Sequence, residues 1–166
     1  MIHAVMGKLD AHVLREAYGA FPSGVTALCA MIDDAPVGMV ASSFTSVSMD
    51  PPLVSICVAN TSATWPRLRP ATRLGVSVLA AGHERAARQL SARTGDRFAG
   101  VGLEVTGAGA VLIEESAAWL DCTLFDEIAA GDHALLLLRI EALRTFPDRH
   151  PLIFHGSKFR RLAAAP

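Results

Sequence analysis

The densest run of hydrogen-bonding side chains in the sequence is Ser42-Ser43-Phe44-Thr45-Ser46-Val47-Ser48, just ahead of an Asp50-Pro51-Pro52 turn. Two readings of such a run are open. Its hydroxyls can satisfy the loop's own backbone, as Ser and Thr do in turns. Alternatively, small side chains let a planar ligand approach the main chain, where uncharged O–H and N–H groups bind ring carbonyls, ring nitrogens or phosphate oxygens. Ser23 lies between Pro22 and Gly24, which is not the Gly-x-Ser-x-Gly elbow of a hydrolase. The six histidines, at 3, 12, 83, 133, 150 and 155, lack a second ligand at helical or hairpin spacing, so no metal centre is expected. Cys29, Cys57 and Cys122 are widely spaced in apolar segments and read as reduced, buried thiols. Neither the Gly-x-Gly-x-x-Gly turn nor the Gly-Lys-Ser/Thr phosphate loop occurs, so a nucleotide would have to be held in another way.

The elements that position these groups are mostly strands. Asp10 caps a first helix with Val13, Leu14, Ala17 and Phe21 as its inner stripe, and Pro22-Ser23-Gly24 stops it. A strand over 24–32, a turn at Asp33-Asp34-Ala35-Pro36 and a strand over 37–41 make a hairpin. The paired prolines cannot sit inside a ladder, and the apolar run 53–59 behind them reads as a third, buried strand. A short helix starts at Ser62 or Thr64 and runs through Trp65 and Leu68, and alternation returns over 73–79. A polar helix over 84–92 turns Ala86, Ala87 and Leu90 inward, and a Gly-rich loop over 95–109 carries Phe98 and Val101. Two longer strands, 117–128 and 133–143, are joined through Ala129-Ala130-Gly131-Asp132. With no βαβ alternation, the expected fold is mainly β: an antiparallel, closed or nearly closed barrel with peripheral helices.

The 166 residues suit one domain, with a core over about 10–162 and an Ala-rich tail from 163 expected to fray. Hydrophobic residues make up 51% and charged residues 19%, the balance of a compact fold. A formal net charge of −1 provides no general field for nucleic acid or anionic membranes. The arginines are scattered singly apart from Arg160-Arg161, and read as a solvated surface. No apolar run reaches bilayer length and the first ten residues lack a secretory stretch, so a cytoplasmic location is expected.

Five segments, FPSGVTALCA, PVGMVASSFTSVSMDPPLVSICV, DRFAG, LDCTLFDEIAAGDH and PLIFHGSKF, occur in an order that resembles the short-chain flavin reductases. These are the reductase components of two-component flavin monooxygenases, and the resemblance covers about 15–162. It implies an FMN-binding split β-barrel, a homodimer, and a transient oxygenase partner that receives reduced flavin. It also implies FMN, or alternatively FAD, as the flavin and NADH or NADPH as the co-substrate.

By the same resemblance, Pro36, Val37, Gly38, Met39, Val40, Ser42 and Ser43 face the flavin ring and ribityl chain, with Cys57, Val58 and Ala59 alongside. Ser62 and Thr64 match positions near the flavin phosphate, and Gln89 and Leu90 match a further flavin-contacting pair. His133, Phe154, His155, Gly156 and Ser157 line the nicotinamide side. Many relatives carry Thr where Val40 stands and Tyr where Phe154 or Phe159 stands, which removes hydroxyls from the site. Hydride transfer needs no protein acid or base, so no catalytic residue is named and His133 is a positioning group. A flavin carrier or sensor on the same barrel would look alike in sequence. A pyridoxine phosphate oxidase would call for a basic phosphate cluster, and none is apparent in the linear sequence.

Overall fold

A computed structural model describes residues 9–163, so the last three residues of the tail lie outside it. Its main body is a seven-stranded antiparallel sheet in the order β3-β2-β6-β9-β10-β5-β4. These strands are β2 (Thr26–Ile32), β3 (Ala35–Ala41), β4 (Thr45–Met49), β5 (Pro52–Ala59), β6 (Leu74–Val78), β9 (Ala118–Ala130) and β10 (His133–Thr145). A three-stranded sheet joins β1 (Ser23–Gly24), β11 (Leu152–His155) and β12 (Lys158–Arg161), and β7 (Leu103–Val105) pairs with β8 (Val111–Ile113). The helices are α1 (Ala11–Gly19), α2 (Trp65–Leu68) and α3 (Glu84–Leu90). The large sheet curls as a split barrel whose two edge strands are β3 and β4. No helix among the described residues is long and apolar enough to cross a membrane.

β2 explains why the middle of the sheet reads as one apolar run. Leu28 and Ala30 pack into a cluster inside the curl with Val54, Ile56, Leu74, Leu136 and Leu138. Ala27 and Cys29 point the other way, into a second cluster with Leu79, Leu90, Val111, Ile113 and Leu152. A strand buried on both faces has no polar side to alternate with. Each large aliphatic side chain so buried contributes about 1.5–3 kcal/mol. β6 meets the second layer closely enough that a Cβ at Gly75 would collide with the Val111 backbone. Burial pushes the Cys29 and Cys122 thiols up to about 12, so both are inert, while Cys57 is half-buried and no disulfide forms.

The structure corrects several expectations. α1 is capped as expected, with Asp10 Oδ1 accepting from the His12 and Val13 N–H groups, but none of its residues is buried. Val13, Tyr18 and Phe21 stand in solvent because no other part of the described chain packs on them. The hydroxyl run is a loop only as far as Phe44; Thr45–Met49 is edge strand β4, paired with β5 and bulged at Val47. Between 95 and 113 the chain forms the β7–β8 ribbon as well as a loop, and the PLIFHGSKF segment is the β11–β12 hairpin.

Candidate functional site

The chemistry gathers along the free edge of β3. There a cleft of about 470 Å³ opens between Pro36, Val37 and Gly38 on one side and Ala63, Thr64 and Arg67 on another, closed by the loop Arg93 to Phe98. Arg97 fixes this arrangement. Its Nη1 donates to the Gly38 carbonyl at 3.1 Å and to Thr64 Oγ1 at 2.8 Å. The Gly38 peptide edge therefore faces the cleft rather than β2, as alternate residues of an antiparallel edge strand do. Phe98 packs over Gly38 so closely that a Cβ there would meet both Phe98 and the Cys29 thiol.

The flanking elements are held by their own side chains. Ser62 Oγ accepts from the Thr64 and Trp65 N–H groups at 3.3 and 3.1 Å, which starts α2. Trp65 Nε1 and Arg69 Nε both donate to Glu127 on β9, at 3.1 and 2.7 Å, and hold its carboxyl below the usual range. Gln89 Nε2 lies within 2.8–3.3 Å of the Asp96, Arg97 and Ala99 carbonyls, so α3 clamps the loop that carries Arg97. Leu90, fully buried in the second cluster, seats that helix.

Ser43, Cys57, Val58, Ala59 and His133 form a second contiguous group. Ser43 Oγ bridges to the backbone of Cys57, and the end of β5 pairs with the start of β10, His133 opposite Ala59 and Ala134 opposite Val58. Asn60, just past β5, ties down the β9–β10 turn, its N–H donating to the Asp132 carbonyl and its Nδ2 to that of Gly131. His133 Nδ1 lies 2.7 Å from Asp132 Oδ1, and this hydrogen bond holds the Asp132 carboxyl below its usual range.

The expected residues thus fall into separate groups. Pro36, Val37, Gly38 and Thr64 line the cleft, while Gln89, Leu90 and Ser62 support its walls. Met39 packs toward the inner cluster and Val40 toward the second, as neighbours on a strand must, and Ser42 is exposed beside Ser43. Phe154 belongs to a different sheet from His133; its ring packs edge-on against Phe159 at 5.4 Å. His155, Gly156 and Ser157 form the exposed β11–β12 turn, where the Gly156 N–H donates to the Gly19 carbonyl at the end of α1.

Reading the sequence missed the cleft's charge. Arg67, Arg93 and Arg97 come from α2 and the loop after α3, 26 and 4 positions apart along the chain, yet they line one cavity. A basic cluster therefore exists, and only folding assembles it. The one local signal was Arg97 inside the DRFAG segment, next to the aromatic ring that covers Gly38.

Residues 18–163 match the model of a family described as the flavin reductase like domain. The chain belongs to that family. Among flavin reductase relatives, it is 38% identical over 138 residues to the stachydrine N-demethylase reductase subunit Stc3 of Rhizobium meliloti, covering 82% of this chain and 60% of that one. The chain thus spans less than two thirds of that relative. It is 31% identical to the flavin-dependent monooxygenase reductase subunit HsaB of Mycobacterium tuberculosis, over 92% of this chain and 82% of that one. In three dimensions it is similar to the Streptomyces globisporus NADH:FAD oxidoreductase SgcE6, solved with NAD and FAD fragments. The TM-score is 0.87 at 39% identity, with 93% of each chain covered.

Proposed function

We propose that the chain is an NAD(P)H-dependent flavin reductase that hands reduced flavin to a partner oxygenase. The observation that carries this reading is the β3 cleft, where an open peptide edge, the Thr64 hydroxyl and three guanidinium groups line one cavity. These donors fit a planar, hydrogen-bonding ring continued by an anionic chain. In that reading Pro36, Val37 and Gly38 flank the ring, and Thr64 and Arg97 bind the first phosphate. Thr64 Oγ1 already accepts from Arg97, so its O–H remains to donate.

Bound flavin supplies the hydride acceptor and the nicotinamide the donor, so the electronics reside in the two nucleotides. The protein's part is to hold reacting atoms at about 3–3.5 Å in a fixed orientation, which replaces a bimolecular encounter. Ser42, Ser43 and the Cys57–Ala59 end of β5 border the flavin, and Met39, Val40, Ser62, Gln89 and Leu90 keep its walls in place. His133 orients the nicotinamide, with Asp132 fixing its ring, and Phe154, His155, Gly156 and Ser157 complete that side.

His133 and the β11–β12 turn lie on different sheets, and α1 with the segment just after it presents Val13, Tyr18 and Phe21 uncovered. A homodimer covering α1 gives those side chains a partner and brings surfaces of two copies to each site. The oxygenase is a transient partner, a reading supported by relatives named as reductase subunits of an N-demethylase and of a flavin-dependent monooxygenase, and a cytoplasmic setting keeps NADH at hand. The test is NADH and NADPH oxidation by folded protein with FAD, FMN and riboflavin in turn. Flavin-dependent consumption of the nicotinamide supports a reductase; flavin binding without consumption leaves only a carrier.

A further inference from the structure

Arg67, Arg93 and Arg97 share the cleft, and among the described residues none has a carboxylate within ion-pair distance. Arginines nearby do: Arg69 pairs with Glu127 and Arg73 with Asp121. The one acidic residue lining the cleft, Asp96, accepts from the Phe98 N–H at 2.9 Å and so serves its own turn. Like charges gathered without counter-ions repel one another, and water and salt screen that repulsion only in part. Three around one concavity are matched to an anionic occupant.

The three are not equivalent. Arg97 is half-buried and tied to Gly38 and Thr64, at the β3 end of the cleft. Arg67 and Arg93 are exposed, one on α2 and one beyond α3, and neither donates a hydrogen bond to another side chain in the described structure. A flavin whose first phosphate meets Thr64 and Arg97 still has two guanidiniums ahead of it. FMN ends there, whereas FAD continues into a second phosphate. A phosphomonoester carries nearly two charges at neutral pH, about as many as the diphosphate bridge of FAD. Total charge therefore cannot separate the two flavins, but the position of the charge can.

We infer that Arg67 and Arg93 bind the second phosphate of FAD and make the chain selective for the dinucleotide flavin over FMN and riboflavin. This rests on the flavin reading of the β3 cleft. Guanidinium–phosphate hydrogen bonds are charge-assisted and among the stronger polar contacts, but exposure and salt reduce them. The preference that follows is about tenfold in affinity, the effect of one such contact.

The experiment is equilibrium titration of the full chain with oxidised FAD, FMN and riboflavin, repeated for Arg67→Gln, Arg93→Gln and the double variant. NADH also carries a diphosphate, so the KM for NADH is measured for each. Expected are FAD bound about tenfold more tightly than FMN by the parent, and loss of that preference in the double variant. Riboflavin affinity, the KM for NADH with riboflavin and the circular dichroism spectrum should stay at parental values, and FMN affinity should fall less than FAD affinity, because its phosphate feels the lost charge only at a distance. Added salt should weaken FAD more than riboflavin. Equal binding of FAD and FMN by the parent, or an FAD preference that survives both substitutions, overturns the inference. A raised KM for NADH with unchanged FAD affinity also overturns it, because the cleft then belongs to the nicotinamide nucleotide. If riboflavin and FMN fail to bind as well, the flavin reading itself falls, and this inference falls with it.

Discussion

The hydroxyl of Ser43 accepts a hydrogen bond from the Cys57 N–H at 2.9 Å and returns one to the Cys57 carbonyl at 3.1 Å. The β4–β5 ladder pairs Thr45 with Ser55. Continued by two residues, the same register sets Ser43 opposite Cys57, so a side chain stands in for the backbone where the strand has ended. Of the two readings of the hydroxyl run, Ser43 takes the structural one first.

Ser43→Ala should therefore cost stability as well as flavin affinity. It removes both bonds and leaves the half-buried Cys57 peptide to find water, a loss of about 1–2 kcal/mol. Denaturant midpoints beside flavin titrations measure both effects. Unchanged stability with weakened flavin binding would mean that the hydroxyl serves the ligand alone.

Gly38→Ala should destabilise the protein by about 1–3 kcal/mol, because the new methyl meets Cys29 and Phe98 in a packed layer. It should also weaken flavin binding by displacing Phe98 and, with it, Arg97. The second substitution Cys29→Ala opens space on one side of the methyl, so the double variant should recover part of the lost stability. Thermal melts of the two single variants and the double variant read this coupling, and simple additivity would contradict it.

How much of this was legible in the sequence depended on what holds each element. β2 carries a long apolar run because both its faces are covered, whereas β5 and β10 bury one face in the inner cluster, and all three read as strands. β4 did not, since Thr45, Ser46, Val47 and Met49 are exposed and only its ladder to β5 keeps it extended. The α1 stripe had helical spacing, but spacing does not say whether anything lies opposite. The cleft was half legible: Pro36, Val37, Gly38 and Thr64 came from the resemblance, whereas Arg67 and Arg93 meet only through tertiary folding.

Gln89 gives a prediction about support without contact. Gln89→Met removes the donors that hold the Asp96, Arg97 and Ala99 carbonyls but keeps the side-chain length. The loop should loosen, and affinity for FMN and FAD should fall about three- to tenfold, a loss of about one hydrogen bond's worth. Riboflavin, which lacks phosphate, should be affected less. Equal losses for all three flavins would place Gln89 at the ring instead.

His83 sets a pH dependence. It is half-buried, its Nδ1 accepts from the Ala80 N–H at 3.1 Å, and burial lowers its pKa from 6.5. The unfolded chain then binds this proton more readily than the folded one. The contribution to stability is complete above about pH 6.5 and is lost as pH falls through the lower folded value. Denaturant midpoints should drop between pH 7.5 and 5.5, roughly the window where histidine titrates. His83→Gln should be less stable at the upper pH and show a flatter profile. A parental slope in the variant would assign the effect to other groups.

Anaerobic stopped-flow mixing of the protein and oxidised FAD with excess NADH shows whether this chain moves a hydride from nicotinamide to flavin. Expected is loss of the oxidised-flavin absorbance at a rate that saturates with NADH, far exceeds that of free flavin, and slows with deuterium at nicotinamide C4. A flavin absorbance that decays no faster with folded protein present than without it would contradict hydride transfer by this chain.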